Sequence, residues 1–472
     1  MDQTTRKTPA RPLSGTFYLA LIAVISIAVL LTAAEVFHWM PIPGVIPMVL
    51  RWAAIGMLSY LCYRRKSLTT WILFSMVIGA EFGHDFPSIA QELKVVSKVF
   101  LKLIKTIIAP LIFGTLVVGI AGHADLKQVG RMGWKSILYF EVVTTVALFI
   151  GLFAINISQA GKGIDLPPAA EQEKLEVPPP SGWEETILHI FPENIAKSIA
   201  EGQVLQIVVF SILFAIGLAL VKEPHKRHML DFAESLTEVM FKFTGIVMYF
   251  APLAVGAAIA YTVGHMGFDV LGNLLALLAT LYGALIAFLL LVLLPVALWA
   301  KVPVKKFIQA IAEPASIAFS TTSSEAALPK ALQAMEKFGV PRKIAAFVLP
   351  TGYSFNLDGS TLYLSLATVF IAQAANIHLS VGQQILILLT LMLTTKGIAG
   401  VPRASLVILM GTATSFGLPV EPIFIILGID ELMDMARTTV NLVGNCLASC
   451  VIARWEGEAN FGAETESELA PE

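Results

Sequence analysis

Charge is scarce in this sequence. Only 14% of its 472 residues are Asp, Glu, Lys or Arg, and 32 basic against 34 acidic side chains leave a formal net charge of −2. No sustained basic stripe is present to meet phosphates, which excludes nucleic acid as a partner. Cysteine is nearly absent: Cys62, Cys446 and Cys450 all lie in or beside apolar segments and form neither a disulfide framework nor a zinc spacing. The eight histidines fall mainly in loops or near the ends of apolar runs, and none is assigned a role. No G-x-S-x-G elbow occurs, and no basic partner accompanies Ser323 or Ser324, so an intramembrane serine hydrolase has little to stand on. Apolar residues, in contrast, make up 56% of the chain, with a mean hydropathy of +0.76. Many runs reach the roughly 20 residues that cross a hydrocarbon core. The composition describes a polytopic membrane protein, for which an all-α fold and no cofactor are expected.

Apolar spans are expected at 16–37, 44–62, 68–80, 95–120, 135–158, 197–222, 233–262 and 271–299. The first follows Arg6, Lys7 and Arg11 and could pass for a secretory signal, but its length and the lack of a small-residue cleavage site favour a retained helix. Basic clusters at Arg64-Arg65-Lys66, Lys127 to Lys135, Lys222 to Arg227 and Lys301 to Lys306 alternate with acidic or neutral loops at 81–92 and 160–187. By the positive-inside rule the basic loops and the amino terminus are cytoplasmic, and the Pro-rich 160–187 loop lies outside. After residue 300 the pattern changes. Two apolar segments are too interrupted to span: 304–340, broken at 320–324, and 381–413, broken at 394–402. Each precedes a long span carrying polar residues, 344–373 and 419–453. Broken segments in matching positions of two halves point to a transporter binding site, because non-helical backbone at membrane depth survives only where it is buried or lines a cavity. The acidic tail after Trp455 reads as disordered and cytoplasmic. Four regions result: 1–66, 67–300, 301–455 and 456–472.

In the last span, Asp430, Asp434, Arg437, Thr438, Asn441 and Asn445 share one helical face. Each charge at the bilayer centre costs about 2.5–3.5 kcal/mol, so such residues need partners or a wet cavity. Two readings are open: an ion pair within the helix between Asp434 and Arg437, or a site for a small zwitterion. In the second, Arg437 grips a carboxylate with two hydrogen bonds, Asp434 takes an ammonium, and Thr438 and Asn441 take the remaining oxygens. The stretch Asn356-Leu357-Asp358-Gly359-Ser360 fits the same idea, with Gly359 letting a helix unwind and Asn356 and Asp358 offering oxygens to a hard cation. A helix break with a capping aspartate explains it almost as well. The hydroxyls and free amides of 321–324 suit a substrate carboxylate, although such runs also serve as helix-packing glue.

Four motifs in this order, STTSSEAALP (320–329), PTGYSFNLDGSTLY (350–363), TTKGIAGVP (394–402) and DELMDMARTTVNLVGN (430–445), resemble the dicarboxylate/amino acid:cation symporter family, which includes the glutamate transporters. The likeness covers roughly residues 67–455. It implies a glutamate-transporter fold with inverted repeats, two re-entrant helical hairpins, and a homotrimeric scaffold carrying elevator-type transport domains in a bacterial inner membrane. Both termini would be cytoplasmic, and the hairpin at 381–413 would be the outer gate. Carried over by position, Ser323, Ser324 and the nearby amides would meet the substrate α-carboxylate together with Asn441. Val401, Pro402, Arg403 and Ala404 would close over it. Arg437 would bind the side-chain carboxylate and Asp434 the amino group, with help from Thr438. Dicarboxylate-transporting relatives tend to lack an acid at the position of Asp434, and neutral amino-acid relatives lack the arginine. Holding both points to aspartate or glutamate.

The chain departs from the sodium-coupled pattern, which has NMDGT, an aspartate at the position of Asn445 and a hydroxyl at that of Val143. Those positions are here Leu357, an amide and a methyl-bearing side chain, changes that weaken a hard-cation site. The coupling ion is thus expected to be H+, alone or with Na+, and a residual sodium site would use Gly352, Asn356, Asp358 and Asn441. Candidate coupling groups are Glu141, Thr144, Glu325, Asp358 and Asn445, with Glu141 equally readable as a structural helix–helix hydrogen bond. The glutamate that resembling animal transporters carry eight residues after the motif asparagine is here Leu364. Arg403 stands where a glycine is usual, and either reaches the substrate or snorkels outward. Residues 1–63 have no counterpart in the family and read as two added helices, an even number that keeps the orientation of the rest. A C4-dicarboxylate carrier, a sodium-coupled acidic amino-acid symporter and an ion channel remain as alternatives. The polar Asp/Arg/Asn face would have no purpose in a pure pore.

Overall fold

A computed structural model of the chain describes residues 15–36, 39, 43–65, 67–121, 128–164, 191–201, 203–395 and 404–461. Among these residues every regular element is helical. In chain order the helices are α1 (Gly15–Val36), α2 (Val45–Arg65), α3 (Leu68–Asp85), α4 (Pro87–Glu92), α5 (Lys94–Ala121), α6 (Gln128–Ser158) and α7 (Ile195–Glu201). There follow α8 (Val204–Leu220), α9 (His225–Met248), α10 (Ala251–Met266), α11 (Asp269–Phe288) and α12 (Leu294–Trp299). The last stretch holds α13 (Val304–Thr321), α14 (Ser324–Phe338), α15 (Arg342–Phe355), α16 (Asp358–Ala374), α17 (Val381–Thr394), α18 (Ala404–Ser415) and α19 (Glu421–Glu456). Five helical stretches among the described residues are long and apolar enough to cross a membrane, beginning with Gly15–Glu35 and Val45–Arg64.

Contacts divide the chain into two compact units, Met1–Ser97 with Tyr249–Phe268, and Lys98–Met248 with Asp269–Glu472. In the first unit α3 packs against α10 through small residues. A Cβ on Gly83 would come within 2.5 Å of the Ala260 carbonyl oxygen, and one on Gly264 within 2.9 Å of the Ala90 side chain. Backbone-close crossings of this kind gain van der Waals contact where lipid offers no hydrophobic driving force. The added helices α1 and α2 join this unit through a polar cluster. Arg51 donates through Nε to Glu81, through Nη2 to Asp85 Oδ1 (2.8 Å) and through Nη1 to Thr32 Oγ1 (3.3 Å), while Trp52 Nε1 donates to Asp85 Oδ2 (2.9 Å). Glu81 and Asp85 therefore belong to helix α3 rather than to the acidic loop expected at 81–92.

The second unit is built around α16 and α19. Helix α16 is buried without a break from Asp358 to Ala372, and α19 is buried over most of its 36 residues. Helix α6 crosses α16 at Gly151, where no Cβ would fit beside the Leu362 carbonyl. Gln373 then clamps the end of this crossing, donating to the Ile155 carbonyl and accepting from the Gly161 amide, both at 3.2 Å.

Two expectations change, and one expected span carries a local irregularity. The span at 233–262 is interrupted at Tyr249 and Phe250, and Pro252 occupies the first turn of the next helix, where its missing N–H costs nothing. The span at 271–299 is helical throughout but passes through a π turn at Leu289–Leu293, just ahead of Pro295, which cannot donate into an α-helical ladder. The tail begins later than Trp455: α19 runs to Glu456, and the chain to Phe461 folds back onto the protein. Most of the 160–187 loop, from residue 165, lies outside the described residues, as do 462–472.

Candidate functional site

The first hairpin forms because its sequence cannot continue as one helix. Thr322 takes a left-handed conformation (φ 51°, ψ 30°) that ends α13, and Ser323 is extended. Its Oγ then accepts from the Ala326 amide at 3.3 Å and caps α14. Ser324 is buried at the start of α14, and Glu325 beside it is exposed. In the segment expected to form the second hairpin, α17 and α18 flank residues 396–403, which lie outside the described residues, as do the expected site residues Val401, Pro402 and Arg403. Ala404 opens α18.

The break falls inside the expected stretch but at Asn356 and Leu357, ahead of Gly359, which is helical in the first turn of α16 and is not the residue that unwinds. Helix α15 ends at Phe355, Asn356 and Leu357 are non-helical, and α16 starts at Asp358. The free amides at the head of a helix need acceptors. Asn441 on α19 provides one: its Oδ1 accepts from the Gly359 amide (2.7 Å) and the Ser360 amide (3.2 Å), while Nδ2 donates to Ser360 Oγ (3.0 Å). Asn356 Nδ2 donates to Asp358 Oδ2 (3.3 Å) and Asn445 Oδ1 (3.2 Å), and Asn445 Nδ2 returns a bond to the Asn356 carbonyl (3.3 Å). Glycine is required on both faces of this knot. A Cβ on Gly352 would fall inside the Asn445 side chain, and one on Gly359 would lie 2.8 Å from Arg437 Cα. Asn356, Asp358 and Asn445 are all fully buried, and Asn356 Oδ1 has no hydrogen-bond partner among the described residues.

One turn along α19, Arg437 is also fully buried. Its Nε donates to Asp434 Oδ1 (2.8 Å) and its Nη1 to Asp430 Oδ1 (2.9 Å). Thr438 Oγ1 shares Asp434 Oδ1 at 3.1 Å. The guanidinium carbon lies 4.2 Å from the ring centre of Tyr363 on α16, within cation–π range. Its third nitrogen, Nη2, is buried without a hydrogen-bond partner among the described residues. The helix-internal pairing of Asp434 and Arg437 is thus present, extended to Asp430. An orphaned donor in a buried guanidinium costs about 1–3 kcal/mol or more, and a carboxylate oxygen is the acceptor that best removes that cost.

Other expected residues fall outside these two clusters. Thr144 spends its hydroxyl on the carbonyls of Phe140 and Glu141 in its own helix. Glu141 is half-buried on α6. Two participants were missed: Asp430 as a second partner of Arg437, though its seven-residue spacing signals it, and Tyr363, for which no sequence signal exists. Glu431 is also buried. Among the described residues the charged residues buried as a whole are Asp358, Asp430, Glu431, Asp434 and Arg437, four acids and one base, while the Asp85 and Glu456 side chains are buried against Arg51 and Lys135.

Comparison with known proteins places the chain in a family. Residues 68–455 match the sodium:dicarboxylate symporter family. The chain is 44% identical over 406 residues to a proton/glutamate-aspartate symporter of Escherichia coli (83% of this chain, 93% of the relative). It is 42% identical over 409 residues to a proton/sodium-glutamate symport protein of Bacillus caldotenax (84% and 96%). A C4-dicarboxylate transport protein of Bacillus subtilis is 39% identical over 407 residues (85% and 96%). With its paired polar helices, its broken hairpin and a match across most of its length, this chain belongs to the sodium:dicarboxylate symporter family of membrane transporters and is not an enzyme.

Proposed function

We propose that the chain imports acidic amino acids, glutamate or aspartate, across a bacterial inner membrane by symport with protons, its sodium sites being weakened. The observation that carries this reading is the buried Arg437 with its unpartnered Nη2, gripped from one side by Asp430 and Asp434. The substrate side-chain carboxylate accepts from Nη2, and a guanidinium that is planar and always charged keeps the bond directional. Asp434 takes the ammonium, exchanging part of its hold on Arg437. Thr438 adds a hydroxyl, Asn441 offers its remaining N–H to the α-carboxylate, and Ser323 and Ser324 approach from the first hairpin tip. Val401, Pro402, Arg403 and Ala404 close the second hairpin over the substrate.

The charge count argues for a cation partner. Asp358, Asp430, Glu431 and Asp434 are buried near one buried base, Arg437, and an acidic amino acid brings a net negative charge, so a proton or metal cation travelling with it lowers the cost of burying that charge. Asp358 and Asn356 Oδ1 offer oxygens to a residual sodium ion, while amide Asn445 and apolar Val143 weaken such a site. Glu141 and Glu325 remain further proton carriers to test. The working assembly in this reading is a homotrimer with both termini cytoplasmic, each copy moving its transport domain as an elevator.

The test is uptake of labelled glutamate and aspartate into proteoliposomes with sodium and pH gradients imposed separately. An inward proton gradient without sodium is expected to drive accumulation, with succinate competing poorly. Accumulation driven by sodium alone at constant pH overturns the coupling, and uptake of succinate but not of either amino acid overturns the substrate.

A further inference from the structure

The end of α19 makes contacts that neither the pairing of Arg437 nor the helix break requires. Gly457 caps α19 in a left-handed conformation (φ 75°), and the Glu458 amide donates back to the Ala453 carbonyl at 3.0 Å. The chain then turns onto the first hairpin. The Asn460 amide donates to the Gly339 carbonyl at 3.1 Å. Phe461 stacks on Phe338 at 5.4 Å between ring centres, and Phe338 meets Phe307 edge-on at 5.7 Å. Phe338 ends α14 and Phe307 lies near the start of α13, so this aromatic run crosses both arms at the end opposite the tip. Arg454 adds a third tie. Its guanidinium carbon sits 5.1 Å from the ring centre of Phe461, while Nε donates to the Ala300 carbonyl (3.0 Å) and Nη2 to that of Lys301 (3.4 Å), just before α13. Lys343 and Glu458 pair at 2.8 Å but are exposed, so that bond contributes little. Gly339 has φ +104°, and the Asn460 carbonyl occupies the place of its Cβ, so the sequence leaves room for the returning chain.

We propose that Gly457–Phe461 form a strap that positions the first hairpin on the helix carrying Arg437, Phe461 being the central positioning residue. Arms α13 and α14 are 18 and 15 residues long, levers of about 25 Å at 1.5 Å per residue. A tilt of about 3° at the strapped end moves the tip by about 1 Å, a displacement large enough to disturb a site. The effect on substrate rests on the reading of Ser323 and Ser324 as site residues; the effect on the hairpin does not.

Two variants test this, Phe461→Ala and a chain ended after Glu456, each followed by hydrogen exchange across 304–338 and by the KM and maximal rate of glutamate uptake. Exchange in the hairpin is expected to quicken by about tenfold in both, with 358–374 unchanged. KM should rise several-fold at little altered maximal rate, and Phe461→Tyr should restore both. Wild-type exchange across 304–338 in Phe461→Ala overturns the strap, and that variant decides alone if the shortened chain does not fold. Faster exchange in a protein whose wild type carries no acidic amino acid leaves the strap standing and removes the substrate reading.

Discussion

Arg437 shows how far a single residue can be read. Its helix face, and Asp434 and Thr438 beside it, were legible because offsets of three and four residues on a helix do not depend on tertiary structure. Tyr363 beneath the guanidinium was not, because that contact exists only once α16 crosses α19. Asn441 was read as a substrate ligand, yet it also caps α16 across the helix boundary. Arg437→Lys keeps a positive charge but loses the planar fork. Glutamate uptake should fall by about tenfold to a hundredfold, the loss expected from about 1.5–3 kcal/mol of charged hydrogen bonding to the substrate carboxylate, while the membrane level of the protein is unchanged. Gly359→Ala would press a Cβ against the Arg437 backbone, which cannot yield as a side chain would. A loss of about 1–3 kcal/mol in thermal unfolding is expected from such overpacking.

At the scale of elements, the breaks in the chain were legible where polar residues announced them. The Ser/Thr run placed the first hairpin tip and the Asn/Asp/Gly stretch placed the gap between α15 and α16. The interruption at Tyr249 and Phe250 was hidden inside an apolar run, where Pro252 was the sole local mark. The start of the tail was misjudged because Gly457 to Phe461 runs straight into the acidic stretch that follows, while its docking depends on Phe338 and Gly339, more than a hundred residues earlier. Ser323→Ala removes the cap of α14. A destabilisation of about 1 kcal/mol is expected, read as faster hydrogen exchange in the first turn of α14 with the core of α16 unaffected.

At the scale of the whole molecule, composition alone established a polytopic helical protein, and four motifs in order established the family. The sequence also set apart the added helices α1 and α2, which precede the region matched by the family at residue 68. How they attach was not legible: Arg51 was hidden in an apolar span, and Glu81 and Asp85 were read as loop. Arg51→Met strands two acids in the first unit. It should lower thermal stability by about 1–3 kcal/mol, since the cluster is only part-buried and Trp52 still donates to Asp85, and adding Glu81→Gln with Asp85→Asn should recover most of that loss. The same cost of stranding a buried charge applies to the substrate in the proposed reading, where a co-transported cation offsets the net negative charge of an acidic amino acid.

The most direct measurement is equilibrium binding of L-aspartate, L-glutamate and L-alanine to the purified full-length protein, compared between wild type and Arg437→Met. Acidic amino acids should bind the wild type, L-alanine should bind it far more weakly, and the variant should lose that preference. An Arg437→Met protein that is folded and binds glutamate and aspartate with wild-type affinity would contradict the account.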